Sequence, residues 1–205
     1  MPDYHIPLQP ECIYHILSRA NGNEKLFLNS NNYSFFLQRF EKHVSPVADT
    51  LCYCLLPNHF HFMVEIKSLP AIEAHFKEVK KDKSLDESVL SDFIMERFSN
   101  CLNSYTKSFN KMYNRKGSLF IDYMRRVKVE TEEQFRQTVF YNHKNAVHHG
   151  LVKQINDWPW SSYHLFANKL PSWVQTEKVL GYFDTLEGFL HYHSQSVSLK
   201  IDPME

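Results

Sequence analysis

The sequence predicts an α+β fold: an antiparallel sheet of four to five strands with helices packed on it. Three observations carry that expectation. Short runs with two-residue alternation, such as Cys52, Cys54 and Leu56 against Tyr53 and Leu55, read as half-buried strands. Between them lie stretches whose apolar residues recur at helical spacing, such as Phe98, Leu102, Tyr105, Phe109 and Met112. Two of the strands are joined by only Pro57-Asn58, which makes them an antiparallel hairpin. The order β-α-β-β-α-β-α is that of a split β-α-β, ferredoxin-like arrangement.

Each element follows from local chemistry. Glu11 to Ser18 reads as the first strand, and Asn21-Gly22-Asn23 is a turn signal after it. Ser30 is placed to cap a helix from Asn31 to about Val44, with Phe36, Leu37 and Phe40 at helical spacing and Pro46 ending it. Val47 to Leu56 is the second strand, and the strand that begins at His59 runs to about Lys67. Pro70 opens a helical region, and the charged stretch from Lys77 to Glu87 reads as a solvated face or loop. A long helix is expected from Val89 to about Tyr113, a loop over Asn114-Arg115-Lys116-Gly117, and a strand from Ser118 to Val129. Thr131 and Gln134 form a capping-box pattern for a helix reaching about His149, with Gly150 as its C-terminal stop. Residues 1–168 are expected to form the main domain. From Lys169 to the end, Thr176 and Asp184 are candidate caps for short helices of a C-terminal extension, 169–205.

Composition narrows the function. The chain has 205 residues, 43% hydrophobic and 15% aromatic, with five glycines, which suits one well-cored domain rather than disorder. No apolar run approaches the roughly 18 residues of a membrane span. Met1 to His5 lacks the basic-then-apolar pattern of a secretory signal. The four cysteines, Cys12, Cys52, Cys54 and Cys101, have no metal-knuckle or redox spacing and read as reduced core thiols, which points to the cytoplasm. Formal net charge is zero, which excludes a strongly basic protein. Yet Lys107, Lys111, Arg115, Lys116, Arg125, Arg126 and Lys128 cluster against only Asp122, and such a local patch can contact phosphates.

The chemistry centres on His59-Phe60-His61. On a strand these two imidazoles share one face, while Phe60, Phe62 and Val64 anchor the other. Alone, such a pair also fits satisfied core histidines. In the last long helix, Tyr141 and Asn145 are four apart and share a face. Against the histidine strand they would bring together two imidazoles, an amide oxygen and a phenol. That incomplete shell suits Mg²⁺ or Mn²⁺, with phosphate oxygens and water supplying the remainder. A divalent ion neutralises a phosphodiester oxygen and orients phosphorus for in-line attack. A phenol is a weak nucleophile at its free pKa near 10 and needs such help.

Here the residues reach a family. His59-Phe60-His61 resembles the HUH motif (His, hydrophobic, His). The chain is similar to REP-associated tyrosine transposases and their insertion-sequence relatives in Tyr14-His15-Ile16…Arg19-Ala20-Asn21 and in Phe109-Asn110…Gly117-Ser118-Leu119-Phe120. The likeness continues through Tyr141…Asn145 and Asp157-Trp158-Pro159-Trp160-Ser161-Ser162-Tyr163, and spans about residues 11 to 166. The resemblance implies an HUH fold and an enzyme of single-stranded DNA cleavage and strand transfer through a 5′-phosphotyrosine, as in transposition, at hairpin-forming repeats. It implies Tyr141 as nucleophile, His59, His61 and Asn145 as metal ligands, and a monomer or homodimer. Arg115, Lys116, Arg125, Arg126 and Lys128 are the candidate DNA contacts. Two departures stand out. Ala146 replaces the proline common after the asparagine, and Tyr123 replaces an arginine common after the Gly-x-Leu-Phe element. Two other readings compete: a non-catalytic hairpin-DNA binding protein on the same fold, and a metal hydrolase with water as nucleophile. His143, His148 and His149 are expected at the surface near the helix end, Trp158, Trp160 and Tyr163 in packing, and His191 and His193 carry no assigned role.

Overall fold

The computed structural model describes residues 6–81, 84–121 and 124–195. Its elements are β1 (Ile13–Arg19), α1 (Ser30–Val44), β2 (Ala48–Leu56), β3 (His59–Ile66), α2 (Leu69–Lys80), α3 (Glu87–Met112), β4 (Arg125–Val129), α4 (Glu132–His148), α5 (Tyr163–Ala167), α6 (Thr176–Gly181) and α7 (Leu186–Ser194). The four strands form one sheet in the order β2-β3-β1-β4, with every neighbouring pair antiparallel. This is the split β-α-β order expected from sequence, with two helices rather than one between β3 and β4.

Alternation along β3 divides the sheet into two chemically distinct faces. Phe60 and Phe62 point to the side covered by α1 and α3. There Phe40 stacks on Phe62 with ring centroids 3.7 Å apart, and Phe36 lies 5.1 Å from Phe60. Phe98 and Tyr105 of α3 close the layer against Phe40 and Phe36. Each such phenylalanine, fully buried, contributes about 1.5–3 kcal/mol of apolar transfer. His59 and His61 therefore face the other side, where α4 packs.

The two edges of the sheet differ. Along β2, the segment after α4 continues the pairing: Leu55 N–H donates to Trp160 O, Ser162 N–H to Tyr53 O and Trp158 Nε1–H to Leu55 O, each at 2.9 Å. Trp160 also stacks on Tyr33 of α1 at 4.5 Å. These residues thus do the packing the sequence suggested, and they cover an edge that would otherwise offer unpaired backbone groups. The β4 edge has no such cover among the described residues, and Val127 is exposed there.

The expected strand from Ser118 to Val129 is shorter than predicted. Phe120 makes only an isolated bridge to Ala20, and regular pairing starts at Arg125. Asp122 and Tyr123 lie outside the described residues, as do Met1 to His5. Leu119 O accepts from Asn21 N–H and Ile121 N–H donates to Arg19 O, so this short stretch meets the end of β1 before the regular ladder begins. The loop ahead of it is clamped. Arg115 donates to both carboxylate oxygens of Glu24 at 2.6 and 2.7 Å, and to Asn110 Oδ1, Gly117 O and Ser118 O. Those contacts use the guanidinium's whole donor set and tie the loop to Glu24 and to the end of α3.

Candidate active site

Helix α4 is placed by contacts at both ends and along its length. At its start the Thr131 side chain accepts from Gln134 N–H, and the Gln134 side chain accepts from Thr131 N–H, the capping box read from sequence. At its end Gly150 adopts a φ of 67°; Gly150 N–H donates to Val147 O and Leu151 N–H to Ala146 O, a Schellman stop. Between these, Asn142 Nδ2–H donates to Cys52 Sγ at 3.3 Å, so α4 lies over β2. Cys52 and Cys54 are fully buried, and burial pushes the Cys52 thiol up to about 12, so they act as neutral packing groups.

That register turns the next helical stripe toward the histidines. Tyr141 and Asn145 on α4, and His149 at its C-cap, follow at four-residue spacing along one face. The Tyr141 ring lies 5.7 Å from His61 and 6.2 Å from His15. At the other end of the stripe the His149 ring lies 4.9 Å from His59. Asn145, fully buried, stands on the helix between these two contacts. The structure thus brings together His59, His61, Tyr141 and Asn145.

Strand register defines the floor of the site. On the histidine face, Cys54, His61, Leu17 and Arg125 are opposite one another in one row, and Leu56, His59 and Arg19 in the next. Helix α4 covers the β2–β3 half, and the exposed Arg19 stands beside His59 on β1. His61 is fully buried and its ring lies 5.1 Å from that of His59. His59 Nδ1 is 2.8 Å from Asn58 Oδ1, an atom that only accepts, so the neutral ring carries its proton on Nδ1 and its lone pair on Nε2. His61 Nδ1 lies 3.1 Å from His15 Nε2.

This donor set suits a hard divalent ion with an incomplete protein shell. Two imidazoles have their Nδ1 atoms held by protein neighbours, and an amide side chain is buried on the facing helix. Among the described residues no three His, Cys, Asp or Glu side chains are grouped to hold a metal ion.

The basic residues singled out from sequence are not brought together. Arg125 lies on the histidine face, opposite Leu17. Arg126 and Lys128 pair with Ile16 and Tyr14 and so project to the other face, where Arg126 donates to Ile6 O and Lys128 to Gln9 Oε1. Arg115 is consumed by its loop clamp, and Lys116 is exposed beside it. Tyr105 and Phe109 are buried core residues of α3. Arg19, quoted in the first-strand motif but given no role there, is the arginine that strand register sets next to His59.

A second departure concerns His143 and His193. Expected at the helix surface and without a role, they are instead buried and joined, while His148 and His149 are exposed as expected. Phe189 O only accepts, so His193 Nδ1–H donates to it at 2.8 Å and His193 Nε2 accepts from His143 Nδ1–H at 3.0 Å. His143 Nε2 then accepts from the Ser162 hydroxyl at 2.9 Å, and Ser162 Oγ accepts from Tyr53 N–H at 2.9 Å. This directed chain ties α7, α4, the 158–162 segment and β2 together. Burial holds both imidazoles neutral: His193 titrates at about 4, and His143 is held well below the ordinary range, with His193 adding to the effect.

No family model matches the chain, and no curated protein matches it. Among solved structures, that of a REP-associated tyrosine transposase bound to a REP hairpin is similar, with a TM-score of 0.60 and 16% sequence identity. The match covers 84% of this chain and 90% of that one. The chain therefore has the fold of that transposase. Among the described residues, no helix is long and apolar enough to cross a membrane.

Proposed function

We propose that this protein cleaves and rejoins single-stranded DNA, at a hairpin-forming repeat, by metal-dependent transesterification at Tyr141. The observation that carries this reading is the approach of the Tyr141 ring to His61, on the sheet face where His59 and His61 alternate along β3. Fold likeness to a transposase bound to a REP hairpin supports the choice of DNA. His59, His61 and Asn145 would hold Mg²⁺ or Mn²⁺. When bound, that ion supplies charge neutralisation at a non-bridging phosphate oxygen.

The chain's own residues do the remaining work. Tyr141 Oη attacks phosphorus; the bond from phosphorus to the 3′-oxygen breaks, the phenol loses its proton, and the departing 3′-oxygen gains one. A 5′-phosphotyrosine and a free 3′-hydroxyl result. Attack by a second 3′-hydroxyl on the phosphotyrosine reverses these changes and releases Tyr141, so rejoining needs no nucleotide cofactor. Burial of the Tyr141 ring limits its rotamers and keeps water from competing along its apolar side. In this reading residues 1–168 carry the chemistry, and α7 steadies α4 through the His193–His143 bond.

The test is an adduct assay. End-labelled single-stranded DNA hairpins are incubated with the protein and Mg²⁺ or Mn²⁺ and resolved under denaturing conditions. A protein-linked label is expected with the native chain and absent in Tyr141→Phe, His59→Ala and His61→Ala. Binding without any adduct across a broad hairpin panel would leave the non-catalytic DNA-binding reading instead. Cleavage that survives Tyr141→Phe would favour water as nucleophile.

A further inference from the structure

We propose that His15 is a positioning residue for the metal site: it fixes the His61 tautomer that can bind a cation. This inference rests on the reading of His59 and His61 as metal ligands. His15 lies on β1, on the histidine face, and is opposite Met63 rather than His61. It reaches His61 along the diagonal, where side chains two positions out of register still meet. The two rings stack with centroids 5.2 Å apart and planes inclined by 22°, and His15 Nε2 lies 3.1 Å from His61 Nδ1. His15 is nearly fully buried, and its ring edge also packs against Tyr141 at 6.2 Å.

One proton lies between these two nitrogens, and its position decides what His61 can do. If His15 donated, neutral His61 would carry its proton on Nε2 and could not bind a cation there. If His61 donates from Nδ1, its lone pair is on Nε2, as it is in His59, whose Nδ1–H is held by Asn58 Oδ1. His15 then does for His61 what Asn58 does for His59. Each imidazole has its inner nitrogen held by a neighbour, which sets ring orientation as well as tautomer. His15 is not itself a ligand in this arrangement, because its Nε2 is used in the bond to His61. Nor is it a catalytic residue, since it acts through His61.

The experiment uses the full chain and Mn²⁺, with free Mn²⁺ measured by electron paramagnetic resonance. His15→Phe keeps a stacked ring but has no acceptor; His15→Gln restores an acceptor oxygen at similar reach. The expected result is a roughly 10–100-fold weaker Mn²⁺ affinity in His15→Phe and a value within a few-fold of native in His15→Gln. Long-range ¹⁵N–¹H correlation spectra of the Mg²⁺-loaded native chain should show His61 protonated on Nδ1. Native affinity in His15→Phe, or a His61 proton on Nε2 in the loaded protein, overturns the role of His15 and leaves the metal site standing. Mn²⁺ binding that His61→Ala does not weaken overturns the metal site, and the role of His15 with it. Should His15→Phe fail to fold, the His61 tautomer spectrum and His15→Gln decide the matter: a Gln variant that binds as weakly as His61→Ala contradicts the proposal.

Discussion

Acid should loosen the tie between α7 and α4, and His193→Gln isolates the effect. In the folded chain His193 titrates at about 4, because burial penalises its charged form, against an unfolded value near 6.5. Between those values the unfolded chain binds a proton that the folded chain refuses. The stability is therefore complete above about pH 6.5 and is lost as pH falls toward 4, with a slope of about 1.4 kcal/mol per pH unit at most. Integrated down to pH 4.5, His193 alone accounts for a loss of about 2.5 kcal/mol, and His143 adds to it in the same direction. Gln in place of His193 can donate to Phe189 O and accept from His143 without titrating. Urea unfolding at half-unit steps from pH 7.5 to 4.5 should give a steep fall for the native chain and a slope shallower by about one proton for His193→Gln. Carboxylates contribute equally to both chains and cancel in the difference. Parallel pH profiles for the two proteins would refute the neutral His193–His143 chain.

Other consequences follow from particular contacts. Arg115→Ala should lower stability by about 1–2 kcal/mol in urea unfolding, since it removes a bidentate pair with Glu24 and the bonds that tie Asn110 to the loop. Arg19→Ala should leave stability within about 0.5 kcal/mol yet reduce the slope of log K for hairpin DNA against log salt by about 1; an unchanged slope would remove Arg19 from the DNA surface. Lys128→Ala, on the opposite sheet face, should leave that slope unchanged. Phe40→Ala should cost about 3–5 kcal/mol, because the ring is fully buried against Phe62 and cannot be replaced by water.

Much of the architecture was legible in the chain. The β2–β3 hairpin follows from alternation plus a two-residue connection, and α4 from a capping box and a terminal glycine, all local signals. The pairing of Tyr141 with His61 was legible only through the family resemblance, because local chemistry does not say which sheet face a helix will cover. What escaped depends on register and distance. His15 meets His61 across 46 positions of sequence and one diagonal of the sheet, and His143 meets His193 across 50. Arg115 looked like a phosphate ligand because a loop arginine beside lysines usually is solvated; Glu24, far away in sequence, makes it a clamp. The strand expected from Ser118 pairs regularly only from Arg125, because register with β1 is a long-range property that a local apolar run does not specify.

The most direct measurement of the central claim is the mass of the peptide that carries the DNA. After reaction with a hairpin substrate and Mn²⁺, nuclease trimming and trypsin, cleavage after Arg136 and Lys144 releases Gln137 to Lys144, a peptide whose only tyrosine is Tyr141. The predicted result is a nucleotide phosphate on that peptide, placed at Tyr141 by fragmentation and missing after His61→Ala. Cut DNA with a nucleotide on some other tyrosine, or with none on the protein at any time, would contradict it.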